Sequence, residues 1–247
     1  MKKYKIFAED KKFYLGTISS EEGQFSAVHL EQELSEEEAF SREEEFLIPG
    51  LIDIHFHGCL GQDFCDGKRE AIECLAKYEI EHGVTGICPA TLTLALEDLD
   101  TVLSLAKDYA EEGEKPGEAR LLGINMEGPF ISHVKKGAQN EKYILKCDEK
   151  ILTRFIERSG GLVKFVGLAP EENPGFEDFI KKAKGRVKIS LAHTNADFQT
   201  ALLAYRAGAS HAVHLFNAMT GLDHRNPGVV GATVESKEVY AELITDG

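Results

Sequence analysis

Residues 46–57 read FLIPGLIDIHFH, an apolar and largely β-branched run that ends in two histidines one residue apart. Such a run is the pattern of a buried strand. Side chains at i and i+2 of a strand share a face, so His55 and His57 project together from its end and form a clamp for a metal ion. The bland alternative is a pair of histidines satisfied by their neighbours, and the rest of the chain has to decide between the two.

From residue 46 onward the pattern repeats. Apolar strands are predicted at 46–57, 84–90, 120–128, 163–170, 186–195, 208–217 and 239–247, with amphipathic helices at 68–82, 95–112, 148–160, 174–184 and 196–207. The last connection, 218–238, reads mostly as loop. Near-continuous apolar strands joined by crossovers of this length predict an α/β fold with a parallel sheet covered on both faces, either doubly wound or a (β/α)8 barrel. No GxGxxG or Walker sequence follows any strand, which removes the usual nucleotide-binding reason to prefer the doubly wound form. Seven strands are one short of a barrel, and the chain stops on a strand, so a TIM-like (β/α)8 barrel truncated before its eighth strand is expected over 47–247. Residues 1–46 differ: KYKIFAED and KFYLGTI read as hairpin strands of a small β domain, and the acidic EQELSEEEAFSREEE as a solvated face or loop.

The composition bounds the partners. A formal charge of −14 and a pI near 5.1 argue against nucleic acid or an anionic membrane, because phosphate would be repelled, so any bound anion must meet a local positive site. The start, MKKYKIFAED, lacks the apolar core of a signal peptide, and no run approaches the length of a membrane span. The five cysteines are scattered without CxxC spacing, so a reduced, cytoplasmic protein is expected, with Cys59 and Cys65 as loop or core thiols rather than ligands.

Other predicted strands also end in residues that bind metals: Glu127 in INMEGPF, His193 in ISLAHTN and His214 in HAVHLFNAM. In a barrel all strand C-termini converge on one face, which makes a chance arrangement improbable. Imidazoles with a carboxylate suit Zn²⁺ or Fe²⁺, and five candidate ligands exceed the need of one tetrahedral ion, so two ions bridged by Glu127 are expected. His211, three residues before His214, would face the other way in a regular strand and reads as a packing or supporting histidine. The following loop, NAMTGLDHRNPGVVGA, brings Asn217, His224 and Arg225 close to the metal face and supplies the local positive site an anionic substrate would need.

These segments, PGLIDIHFHG, INMEGPFIS, KKGAQN, LAHTNAD, HLFNAMTGLDHRNPGVVGA and ITDG, resemble in order the motifs of the N-acetylglucosamine-6-phosphate deacetylases of the amidohydrolase superfamily, from about residue 46 to the end. HLFNAM followed by HRNPG is the specific part. The resemblance implies hydrolysis of N-acetylglucosamine 6-phosphate to glucosamine 6-phosphate and acetate, with one or two divalent ions, zinc or iron, per chain. It puts metal ligands on Glu127, His193 and His214, and a second-metal pair on His55 and His57. It also implies phosphate or sugar contacts from Asn217, Ala218 and Arg225, with Arg225 reaching across a homodimer interface. Gln139 stands where relatives carry a substrate-contacting histidine. The family's general base is an aspartate at the end of the eighth strand, which would lie beyond Gly247; Asp246 matches a different strand-end aspartate. The resemblance further implies that residues 1–46 form part of a β-sandwich. Two other readings stay open: a metal-dependent amidohydrolase acting on a cyclic amide, and a non-catalytic sugar-phosphate-binding fragment.

Overall fold

The computed structural model describes residues 2–245. The chain divides into two compact units, residues 1–51 and 52–247.

The first unit is a four-stranded sheet in the order β3-β2-β1-β4, made of β1 (Tyr4–Phe7), β2 (Phe13–Glu21), β3 (Gln24–Leu34) and β4 (Phe46–Leu47). The expected hairpin is β1 against β2, antiparallel with Tyr4 opposite Gly16. The acidic stretch is more ordered than a solvated loop: EQEL completes β3, and EEEAFS forms α1 (Glu36–Ser41). Its helix is started by a capping box in which Ser35 accepts the Glu38 N–H and Glu38 returns to the Ser35 N–H. Three glutamates in that first turn also complement the helix dipole, which is why an acidic run folds there.

The run 46–57 is divided between units. Pro49 has no N–H to give a ladder, and after it the chain passes into β5 (Leu51–Asp53). A short hairpin, β6 (Gly58–Cys59) with β7 (Gln62–Asp63), leads into α2 (Arg69–Glu81). Then β8 (Val84–Ile87) and β9 (Ala90–Thr91) precede α3 (Leu96–Glu111), and β10 (Arg120–Leu121) and β11 (Ile124–Phe130) precede α4 (Glu149–Arg158). The alternation continues through β12 (Val163–Leu168), α5 (Phe176–Ala183), β13 (Lys188–Leu191), α6 (Phe198–Ala207), β14 (His211–Ala212), α7 (Gly228–Glu235) and β15 (Tyr240–Ala241).

The strands are parallel, as their crossovers require. They form a three-stranded sheet, β10-β8-β5, and a six-stranded one, β15-β14-β13-β12-β11-β9. Among the described residues these sheets do not close into one barrel. Two of the predicted strands break where the chain changes sheet, at Cys88-Pro89 and at Leu122-Gly123. The backbone bonds Leu122 N to Ile87 O (2.9 Å) and Asn125 N to Pro89 O (3.0 Å) carry pairing across both breaks.

Every residue of β11 is buried, as expected of a strand covered on both faces. Phe64, Leu75, Leu103, Phe130, Phe155 and Leu168 are among the fully buried side chains of the single large core. Burying each stabilises the fold by about 1.5–3 kcal/mol relative to exposure. The connection 218–238 is not all loop. Its GVVGATVE has poor helix propensity, yet it forms α7 because packing on α6 overrides propensity: the buried hydroxyls of Thr233 and Tyr205 lie 2.7 Å apart.

Candidate metal centre

The C-terminal ends of the strands meet as expected. His55 and His57 follow β5, Glu127 lies within β11, His193 follows β13 and His214 follows β14. His55 and His57 sit just past the ladder rather than in it, and the chain there stays tied to its neighbour by the Ala90 N–H to Phe56 O bond of 2.8 Å.

Glu127 is the hub. Its Oε1 is 3.0 Å from His193 Nε2, 3.1 Å from His214 Nε2 and 3.4 Å from His55 Nε2, while Oε2 is 3.2 Å from His57 Nε2. Burial favours the neutral acid, but the contacts with His193, His214, His55 and His57 outweigh it and hold the carboxyl far below the usual carboxylate range. Burial also works against a charged His55, yet Glu127 and Glu242 raise its pKa to about 10.

The ring tautomers can be read from their other nitrogens. His193 Nδ1 is 2.9 Å from the Lys135 carbonyl and His214 Nδ1 is 3.1 Å from the Asn217 carbonyl. A carbonyl only accepts, so both Nδ1 atoms carry a proton, and a ring that ligates a metal does so through a bare Nε2. Those two Nε2 atoms stand 3.2 Å apart beside a buried carboxylate. Lone pairs do not converge on one another without a cation between them, so this donor set fits a metal ion. The grouping is double: His55, His57 and Glu127 form one set, Glu127, His193 and His214 another, and in each the donor atoms lie within 4.8 Å of one another.

The backbone is strained where it presents these ligands. His193 (φ 44°) and His214 (φ 30°), with Phe216 (φ 78°) and Ala218 (φ 50°), occupy the left-handed region. Each such residue costs on the order of 1–3 kcal/mol and persists only where its surroundings fix it. Here the fixing bonds are Ser132 N to His193 O (2.9 Å) and Thr194 N to Ala218 O (3.1 Å).

Gln139 is buried beside the hub with both ends of its amide occupied. It accepts the Thr93 N–H at 2.6 Å and donates to Glu127 Oε2 at 2.6 Å. Asn217 and Ala218 are bound to the centre through their backbone carbonyls, while His224 and Arg225 stand exposed on the loop after Met219, where the carboxylate of Asp223 meets the His224 ring and accepts the Arg225 N–H. Neither of the last two belongs to the cluster. Cys65 does not either: its sulfur accepts the Leu92 N–H at 3.1 Å, and burial pushes its thiol up to about 12. Asp246 lies outside the described residues.

Sequence reasoning missed Glu242. Its carboxylate takes His55 Nδ1 at 2.6 Å and His211 Nε2 at 2.8 Å, which also gives His211 its supporting role. The rule that found Glu127, an acid at the end of an apolar strand, applies equally to VYAELI. A cavity of about 860 Å³ near Tyr109, Lys115 and Leu122 lies at the opposite, N-terminal ends of β8 and β10 and contains none of these residues.

Parallel strands that deliver histidines and a shared carboxylate to one end build a candidate metal centre of the kind found at the strand ends of α/β barrels. The sequence matches the amidohydrolase family over residues 46–241, and the chain belongs to that family. It is 35% identical over 249 residues to the N-acetylglucosamine-6-phosphate deacetylase of Bacillus subtilis (strain 168), spanning 98% of this chain and 62% of that one. The N-acetyl-D-glucosamine-6-phosphate deacetylase of Mycobacterium smegmatis superposes with a TM-score of 0.84 at 25% identity, covering all of this chain and 64% of that one. A mutant of the M. smegmatis enzyme, solved in complex with N-acetyl-D-glucosamine-6-phosphate, matches with a TM-score of 0.81 at 27% identity, over 94% of this chain and 59% of its own. This chain thus spans less than two thirds of each. Among the described residues no helix is long and apolar enough to cross a membrane.

Proposed function

We propose that this chain carries the metal centre and phosphosugar loop of a deacetylase that hydrolyses N-acetylglucosamine 6-phosphate to glucosamine 6-phosphate and acetate. The observation that carries the reading is Glu127 shared between two histidine pairs. Its nitrogen and oxygen donors suit zinc or iron. One ion falls to Glu127, His193 and His214, and a second to His55 and His57 with the same carboxylate.

A divalent ion held by these residues would supply Lewis acidity toward the acetamide carbonyl and lower the pKa of a water toward neutrality. The protein's own groups orient the substrate. Asn217 and the Ala218 backbone border the centre, and His224 and Arg225 offer the cationic contacts that a phosphate needs on a chain of charge −14. Gln139 holds Glu127 in register and so serves substrate binding indirectly. The two parallel sheets are read as the portion of a (β/α)8 barrel that builds this end, and residues 1–46 as the corresponding portion of a β-sandwich. Arg225 completing a site across a homodimer fits its exposure, and five free cysteines fit the cytoplasm.

The test is acetate release by metal-reconstituted protein from N-acetylglucosamine 6-phosphate, from the same sugar without phosphate and from its 4-epimer, with ring opening of a cyclic amide followed in parallel. Release that requires the phosphate is expected. Ring opening of the cyclic amide alone would sink the reading, and phosphosugar binding without acetate would leave a binding fragment.

A further inference from the structure

The geometry points to Glu242 as the positioning residue that commits His55 to the ion it shares with His57 and Glu127. The inference rests on the two-ion reading above and concerns how one half of that centre is built.

Glu242 is fixed on both sides. Its N–H donates to Ala212 O at 2.9 Å and its carbonyl accepts the Leu215 N–H at 2.8 Å, so it extends the β14–β15 pairing by one residue. The side chain is 13% exposed, and each oxygen is taken: Oε2 by His55 Nδ1 and by the His214 N–H at 3.2 Å, Oε1 by His211 Nε2. A carboxylate only accepts here, so His55 Nδ1 carries the proton, and in the neutral ring that ligates a metal the lone pair is left on Nε2, facing Glu127. The other tautomer would turn an N–H toward the metal position.

The contact also bridges edges. β15 ends the six-stranded sheet and β5 ends the three-stranded one, and the His55–Glu242 bond joins residues 187 apart in sequence across that gap. His57 has no such support: its Nδ1 is buried without a hydrogen-bond partner among the described residues. The His55 end of this ion's site is therefore the one the protein has braced.

The test is titration of metal-free protein with Co²⁺ alone, reading equivalents bound and visible absorption in wild type, Glu242→Gln, His55→Ala, the double variant and His211→Ala. Glu242→Gln keeps the side-chain volume, so folding is retained. The wild type is expected to take two equivalents, with Glu242→Gln weakening one of them about 10–100-fold and sparing the other. The double variant should lose no more than His55→Ala alone, whereas a merely structural role would add to it and weaken both ions. His211→Ala should bind both. Two undiminished ions in Glu242→Gln would overturn the inference. A single ion in the wild type would overturn the two-ion reading and this inference with it, before any substitution is examined.

Discussion

Glu127 is approached by four imidazole nitrogens and one amide while its side chain is 4% exposed. Glu127→Gln keeps the shape but removes the charge that both ligand sets share. Both ions should weaken, on the order of 100-fold or more, as elemental analysis of dialysed protein would report; two retained equivalents would exclude a bridging role. Gln139→Ala is a different experiment. It leaves the Thr93 N–H unpartnered in a buried place and removes the amide donor from Glu127 Oε2, which keeps only His57, and this costs about 1–3 kcal/mol, readable by denaturant unfolding. If Gln139 touched only substrate, stability would not change. The residues of the cluster were legible in the sequence because each sits at the end of an apolar run, where residue type and position coincide. The groups that hold them were not. Lys135 and Asn217 act through their carbonyls, which every residue possesses, so nothing in composition marks them.

At the scale of elements, the strands were visible as apolar runs, but their ends were set by backbone chemistry that periodicity does not register. Pro49 and Pro89 lie between strands because they lack an N–H to give a ladder, and His55 and His57 lie beyond the end of β5. The helix α7 was hidden by its glycines and valines, since only its packing on α6 makes it helical. Close approach of strands is another property that a sequence only hints at. A Cβ on Gly167 of β12 would lie 2.3 Å from the Glu127 carbonyl and 3.0 Å from Ala192 Cβ. Gly167→Ala should therefore push β11 away and move the hub. We expect a loss of about 1–3 kcal/mol together with weaker metal binding, measured by thermal unfolding and metal titration. Gly221→Ala, with nothing within 4 Å of the added methyl, is the control and should leave both unchanged. Equal behaviour of the two variants would mean that the β11–β12 spacing does not govern the site.

For the molecule, the centre is a cross-link. It gathers segments around residues 55, 127, 193 and 214, which the chain brings together only through the fold. Ions that bind the folded form and not the unfolded chain stabilise it by mass action, about 4 kcal/mol at a thousandfold excess over the dissociation constant. For a chain of this size that corresponds to a melting shift on the order of 8–16 °C. Removing the metal with a chelator should produce a fall of that size, and readdition of zinc should reverse it. The strained backbone supplies a sharper readout. Without ions nothing opposes relaxation of the left-handed conformation at His193 and His214 except a few hydrogen bonds, so amide exchange should quicken in residues 188–194 and 211–219. The core amides of α3, whose buried face of Leu99, Val102, Leu103 and Ala106 touches no ligand, should exchange only as fast as the lowered global stability demands. A melting temperature indifferent to chelator, or protection lost evenly across the unit 52–247, would contradict a centre that works as a local clasp on the strand ends.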